Sequence, residues 1–284
     1  MKKKWTAALL AGILLAALLL SGCSQAKTVK RLRFGAAGEG GIYREFGERF
    51  AALQNETDNG TIELKATAGS AANLRLLTGE YLQLAIAQAD LAQDACNQTG
   101  IFADEEEIRG FGAVAALYTE ACQVIVRADS GIESVEDLQG KTVSIGAEES
   151  GSEQNALQIL SAYGLTDRLV ETVNLNYEDA AAQLKAGKID AIFITVGLPS
   201  PVVTELAGEC GIRLLNVDGA AAQRLRSAYS AYSEVTIPAG TYPGQTEDAH
   251  TVGVKAVLLA SDELPAAQVQ KLTELLFSGR EGLE

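Results

Sequence analysis

"RLRFGAAGEGGIYREFGERF", residues 31–50, sets the reading of the whole chain. The basic-apolar stretch Arg31-Leu32-Arg33-Phe34 ends a strand, and four glycines (Gly35, Gly38, Gly40, Gly41) follow within seven residues. Ile42, Phe46, Phe50 and Leu53 then recur at helical spacing, which makes them core positions rather than cofactor contacts. A glycine-rich loop between strand and helix lets backbone N–H groups approach a ligand closely. The loop does not fit G-x-G-x-x-G, and Gly40-Gly41-Ile42 lacks the Gly-Lys-Ser/Thr ending of a P-loop. Glu39 would also oppose a phosphate. A tight turn without ligand is the plain alternative.

Outward from this loop, short apolar strands alternate with helical patterns. Ile62–Ala66, Leu84–Ala87, Phe111–Leu117, Cys122–Val126, Thr142–Ile145, Val173–Leu175, Ile192–Val196, Ile212–Val217 and Thr251–Leu259 read as strands. Ser70 opens a helix stopped at Gly79, Ser134 with Asp137 makes a capping box, and Asn176 caps a helix stopped at Gly187. Another helix runs up to Gly164, and Ala266–Phe277 is the last. This alternation predicts an α/β fold with mainly parallel sheets. Polar loops at Gly35–Gly41, Thr67–Ser70, Gln88–Asp90, Gly146–Ser152 and Gly197–Pro199 each follow a strand end, where open α/β sheets bind ligands. Five such loops converge on one cleft if two sheets face each other, the geometry of a hinged binding protein.

The N-terminus reads separately. Lys2–Lys4, an apolar run from Trp5 to Leu20 and then Leu20-Ser21-Gly22-Cys23 follow the order of a secretory signal. The ending resembles a bacterial lipobox, which implies cleavage before Cys23 and a lipid on its sulfur. Residues 1–22 are thus expected as leader and 23–30 as tether. The chain carries a net charge of −14, and without residues 1–22 it has 20 basic against 37 acidic residues. So acidic an exported chain is a poor nucleic-acid binder. Cys96, Cys122 and Cys210 fit no zinc spacing, and His250 is the lone histidine. Neither a metal, a cofactor nor a histidine-based triad is expected. One disulfide with one free thiol, or three separate thiols, both remain open.

Taken together, Gly35–Tyr43, Thr67–Arg75, Ala87–Asp90, Gly146–Asn155, Gly197–Pro201 and Thr236–Gln245 resemble, in order, segments of the TAXI family of solute receptors that serve tripartite (TRAP) transporters. The resemblance spans nearly the whole mature chain. It implies a two-lobed periplasmic-binding-protein fold (type II-like) with the ligand cleft between lobes. It also implies no catalysis, and delivery of a small carboxylate or amino acid, often glutamate-like, to membrane permease subunits. Lobe 1 is expected at 31–121 plus 236–284 and lobe 2 at 122–235, with hinges near Leu117–Cys122 and Val235–Gly240. A monomer held to the membrane by its lipid is expected. An enzyme on the same fold and a ligand sensor for a signalling partner are the rivals; an enzyme would need a nucleophile or a poised acid/base pair.

The expected ligand-binding residues are Gly38, Glu39, Gly40, Gly41, Tyr43, Ser70, Asn73, Gln88, Ser150, Gly151, Ser152, Gly197 and Pro199. Ser70 reads as a hydroxyl donor or merely an N-cap. Asn73 and Gln88 read as amides that donate and accept, or as local loop partners. Tyr43 closes over the ligand or simply packs. Ser150 and Ser152 flank Gly151 before a helix and offer donors from the second lobe. Asp90 reads as a helix cap, Glu148 and Glu149 as a solvated turn, and Arg75 as an exposed helix residue. The anionic end of a zwitterion is expected near Ser70, with its amino group turned toward Glu39.

Overall fold

The computed structural model describes residues 29–38, 41–57, 60–105 and 108–279. The leader, Cys23, Glu39 and Gly40 lie outside the described residues. Among the described residues no helix is long and apolar enough to cross a membrane.

The chain begins as strand β1 (Arg31–Gly35), helix α1 (Ile42–Asn55), β2 (Thr61–Lys65), α2 (Ser70–Thr78), β3 (Leu84–Gln88) and α3 (Ala89–Asn97). β1 pairs parallel with both β2 and β3. Every residue of β3 is buried, as its continuous apolar run dictates for a central strand. On α1 the apolar stripe turns Phe46 and Phe50 inward. Phe34 meets the Phe50 ring edge-on at 6.3 Å, and Phe46 stacks on it at 5.9 Å.

A single 17-residue strand, β4 (Phe111–Arg127), then runs where the sequence suggested two separate strands. Beyond it come β5 (Thr142–Ser144), α4 (Gly151–Ala162), β6 (Glu171–Val173), α5 (Tyr177–Lys185) and β7 (Ala191–Val196). The chain ends with α6 (Pro201–Cys210), β8 (Ile212–Leu215), α7 (Gly219–Ala228), β9 (Ser233–Ile237), β10 (Ala249–Ser261) and α8 (Ala266–Ser278). The strands follow the order β2-β1-β3-β10-β4-β7-β5-β6, with β8 on β4 and β9 on β10. The sheet is mixed rather than mainly parallel, because β4 and β10 run antiparallel to their neighbours. Among the described strands those two are the only ones long enough to belong to both halves. β3 pairs with Ala256–Ala260 of β10, whereas β7 pairs with Ala121–Val126 of β4. They pass side by side at Val254↔Glu120 and Lys255↔Thr119, and the register slips before Val257↔Ala116.

The buried apolar side chains sort to either side of that crossing. Leu32, Phe34, Phe50, Ile86 and Leu258 share one cluster. Val124, Val143, Phe193 and Val252 form a second, and Ile125, Ile192, Val203, Ile237 and Tyr242 a third beside it. The second crossing therefore falls within β10 near Val254–Ala256 and not at Val235–Gly240. Residues 236–254, expected with lobe 1, pack with the second half. Their reason is local: β9 is the hairpin partner of the first part of β10, and the Tyr242 hydroxyl donates to Gln123 Oε1 at 2.8 Å.

Candidate functional site

Between the two halves lies a cavity of about 240 Å³. The opening loop and α1 supply Gly38, Gly41 and Tyr43; the β2–α2 loop supplies Thr67, Gly69 and Ser70; and β3 ends in Gln88. Facing them are Ser150, Gly151 and Ser152 at the start of α4, Tyr177 of α5, and Thr195 of β7. β4 contributes Glu120 from the point where it crosses between the halves.

Glu120 is 2% exposed, and the Tyr43 hydroxyl donates to its carboxylate at 2.7 Å. Burial pushes this carboxyl up to about 8; the Tyr43 bond opposes the shift, the Asp90 charge adds to it, and a Gln88 amide bond opposes it again. Burial likewise raises the Tyr43 phenol, with the Glu120 charge next. The backbone N–H of Gln88 donates to Ser70 Oγ at 3.0 Å, and the Ser70 hydroxyl bonds Tyr43 in turn. Ser70 thus aligns Gln88 and Tyr43. It does not cap α2, whose N-cap is Gly69 with no side-chain bond.

The missing cap comes from across the cavity. The N–H groups of Ala71 and Ala72 donate to the Glu149 carbonyl at 3.1 and 3.3 Å. Glu149 sits in the left-handed region at φ 63°, a conformation that a non-glycine residue holds only when its surroundings require it. Arg75, on the same helix, reaches Glu105 at 2.6 Å and Glu149 at 3.1 Å. Arg75 is only partly exposed, whereas Glu149 stays on an exposed turn as the sequence suggested, and the ion pair between them ties the two halves. Asn155 Nδ2 adds a bond to Asp90 Oδ2 at 2.9 Å and is shared with the Tyr232 hydroxyl at 2.7 Å. Asp90 lies in the first turn of α3 rather than at its N-cap, which is Gln88. Burial pushes Asp90 up to about 6. Backbone contact is close as well: a Cβ on Gly69 would stand 3.1 Å from Ser150 Cα. The two halves are therefore closed over the cavity.

Eight of the expected residues line the cavity: Gly38, Gly41, Tyr43, Ser70, Gln88, Ser150, Gly151 and Ser152. Within that set Ser152 is bound into its own wall, with Tyr177 OH at 2.6 Å and the Thr195 N–H donating at 2.9 Å. Ser150 caps α4 by accepting from the Glu153 N–H at 3.1 Å. Gly197 and Pro199 do not line the cavity. Gly197 instead packs beneath the Tyr118 ring, where a Cβ would meet it at 3.3 Å, and Thr195 and Val196 reach the cavity in its place.

Asn73 is also outside. It is fully buried, and its Nδ2 donates to the carbonyls of Ile86 at 2.8 Å and Gly35 at 3.3 Å, stapling the ends of β3 and β1. Gly35 has no room for a side chain, since a Cβ there would lie 2.6 Å from Asn73 Oδ1. Asn73→Ala should cost about 2–4 kcal/mol of stability through the lost bonds and cavity, while ligand affinity stays within about threefold. Urea unfolding with calorimetry checks both; lost binding at unchanged stability would return Asn73 to the site.

Glu120 escaped the sequence reading. Its signal is a lone acid within the long apolar run of residues 111–126, at a position that the fold buries. Tyr177 and Thr195 escaped as well, since ordinary helix-start and strand residues carry no signature of their own, while Thr67 and Gly69 lay in a loop flagged without being singled out.

The sequence model of the NMT1-like family matches residues 34–284. Among solved structures, the chain is similar to the alkanesulfonate-binding protein SsuA of Xanthomonas axonopodis pv. citri bound to MOPS, at 18% identity and TM-score 0.54, covering 91% of this chain and 78% of that one. An ancestral arginine-binding protein bound to arginine is similar at 14% identity and TM-score 0.56, covering 90% and 94%. A putative L-cystine ABC transporter protein of Listeria monocytogenes is similar at 15% identity and TM-score 0.54, covering 89% and 91%. Likeness at these identities concerns the fold, which is that of two-lobed periplasmic binding proteins.

Proposed function

This chain belongs to the NMT1-like family, and from that premise we propose that it is an exported solute receptor. It captures a small carboxylate or amino acid, glutamate-like in size, and hands it to a membrane permease. The observation that carries this reading is the cavity itself: it is walled from both halves, and among the described residues two long strands, β4 and β10, pass between those halves. Such a site closes by rotating one half about the crossing, and a ligand that touches both walls favours the closed state. We place lobe 1 at residues 29–119 plus 255–279 and lobe 2 at residues 120–254, divided at the β4–β10 crossing. The binding role, rather than an enzymatic one, fits the described lining, in which Glu120 is the one carboxyl and the serines Ser150 and Ser152 are bound into their own wall.

For the partner, the loop resemblance to TAXI receptors supports a TRAP permease. The fold likeness to an ABC transporter protein keeps an ABC permease as the second reading. Co-purification with each permease class, encoded beside this gene or supplied in trans, separates them. Lipid attachment at Cys23 would keep the receptor at the membrane face, where two acyl chains anchor stably.

The reading is tested by mass spectrometry of small molecules released from the purified protein, followed by X-ray scattering with the identified solute. The radius of gyration should fall on saturation toward that of the closed form. A protein that releases nothing, binds no small molecule and scatters identically under all conditions would overturn it.

A further inference from the structure

The cavity has an unusual electrostatic lining. Among the described lining residues Glu120 carries the one carboxyl, and no Lys, Arg or His joins it. The titratable groups that feel its charge are Tyr43 of α1, Tyr118 and Cys122 of β4 itself, Tyr177 of α5 and Asp90 of α3. All are acids, so among the described residues no protein cation faces this carboxyl from the elements packed on it. A second acceptor stands beside it. Gln88 is 2% exposed and its amide bonds Glu120, yet its carbonyl oxygen Oε1 has no hydrogen-bond partner. Buried acceptors without donors are costly, and a site that leaves them so is complementary to a ligand that brings donors.

The donors already in place point the same way. Gln88 N–H donates to Ser70, Ser70 bonds Tyr43, and Tyr43 donates to Glu120. The chain of bonds therefore ends on the carboxylate as an acceptor. We propose that Glu120 and the Gln88 carbonyl form the subsite for a ligand ammonium group, so that the solute is an amino acid or similar primary amine and not a simple organic acid. An ammonium carries three donors in a compact head, enough to satisfy both acceptors at once. The carboxylate end has its own site in the cavity lining: Ile42 and Tyr43 begin α1, and Gly151 and Ser152 begin α4, where helix N-terminal N–H groups favour an anion. Glu120 thereby takes a place facing the amine that the sequence had offered to Glu39, which lies outside the described residues.

This inference rests on the solute-receptor reading but fails separately from it. The probes are the twenty common amino acids and their deaminated carboxylic acids, L-glutamate beside glutarate among them, measured by thermal shift and then calorimetry on the mature protein. At least one amino acid should bind, and its deaminated partner should bind at least about a hundredfold more weakly. Glu120→Gln should lower affinity for that amino acid by a similar factor while leaving the deaminated acid within about threefold; its folding is verified by circular dichroism. Binding at pH 7 should release close to one proton in the wild type, read from calorimetry in buffers of different ionisation enthalpy, because the ammonium displaces the proton of Glu120 to the buffer. The variant should release none. Equal affinities for an amino acid and its deaminated partner would overturn the inference, as would binding confined to acids without an amine, or equal losses of both in Glu120→Gln. In those cases the receptor reading stands. Silence across the panel overturns the amine assignment too, and the receptor reading falls with it only if the purified protein also retains no small molecule.

Discussion

Without ligand, Glu120→Gln should raise the melting temperature, and the gain should grow as pH rises from 5 to about 8.5. The carboxyl is held up to about 8 in the folded protein, mainly by burial. In the unfolded chain it titrates near 4.3. Between those values the unfolded chain has lost its proton and the folded chain keeps it, so unfolding releases a proton and stability falls as pH rises. Above about 8 both states are ionised and the slope ends. Glutamine is neutral throughout and escapes the penalty, which reaches on the order of a few kcal/mol at the top of the window. Asp90, pushed up to about 6, gives a slope of the same sign that ends lower, so Asp90→Asn should flatten the profile only below that pH. Melting curves across the range decide the matter. A gap between wild type and Glu120→Gln that does not change with pH would mean that Glu120 is ionised in the folded protein.

That expectation sets the carboxyl at odds with stability, which is how a binding residue often behaves. The same substitution that firms the ligand-free protein should remove the partner of the ligand amine. The bonds to Tyr43 and Gln88 only partly offset the burial of Glu120. A cation from the protein would have offset it further, and the described cavity lining holds no Lys, Arg or His.

The alternation of strands and helices was legible because it rests on local signals. The capping box of Ser134 and Asp137, the Asn176 cap and the stop at Gly79 all appear as read. What failed was non-local. Phe111–Arg127 looked like two strands because its polar interruption, Tyr118-Thr119-Glu120, resembles a break; in the fold it is the crossing point, where a strand passes from one half to the other. Residues 236–254 were expected with lobe 1, yet they pair and pack beside β9 and the first part of β10, which no local pattern signals. The site divides in the same way. Glycines and serines at strand ends announce a ligand loop, and Gly38, Gly41, Ser70 and Gly151, expected at the ligand, do line the cavity. Asn73 was expected at the ligand but lies outside the cavity lining, because a buried amide that staples two strands and an amide that holds a solute look alike in sequence. The Arg75–Glu149 tie joins residues 74 positions apart, and no local pattern brings such residues together.

Gly151→Leu should abolish tight ligand binding while leaving the protein folded. Gly151 begins α4 and packs directly on the end of Gln88: a Cβ there would lie 2.1 Å from Gln88 Oε1 and 2.3 Å from its Cδ. Those distances are far inside van der Waals contact, so the closed arrangement cannot accept a side chain without expelling the Gln88 amide. Gln88 is buried and its backbone is fixed in β3, which leaves the amide little room to retreat. The lobes must then stay apart, and the bonds from Ala71 and Ala72 to Glu149 are lost with the closure. Each 1.4 kcal/mol taken from the closed state lowers affinity about tenfold, so a wedge costing about 3–4 kcal/mol weakens binding by roughly two to three orders of magnitude. The helix itself gains, because leucine is a better helix former than glycine, and the melting temperature of the ligand-free protein should not fall. Gly151→Ala should show the same direction with a smaller loss. Scattering should report a larger radius of gyration for Gly151→Leu than for wild type at saturating solute, and calorimetry should report the lost affinity. A Gly151→Leu protein that binds as tightly as wild type would mean that the solute is held with the lobes open, and that the contacts across the cavity serve something other than capture.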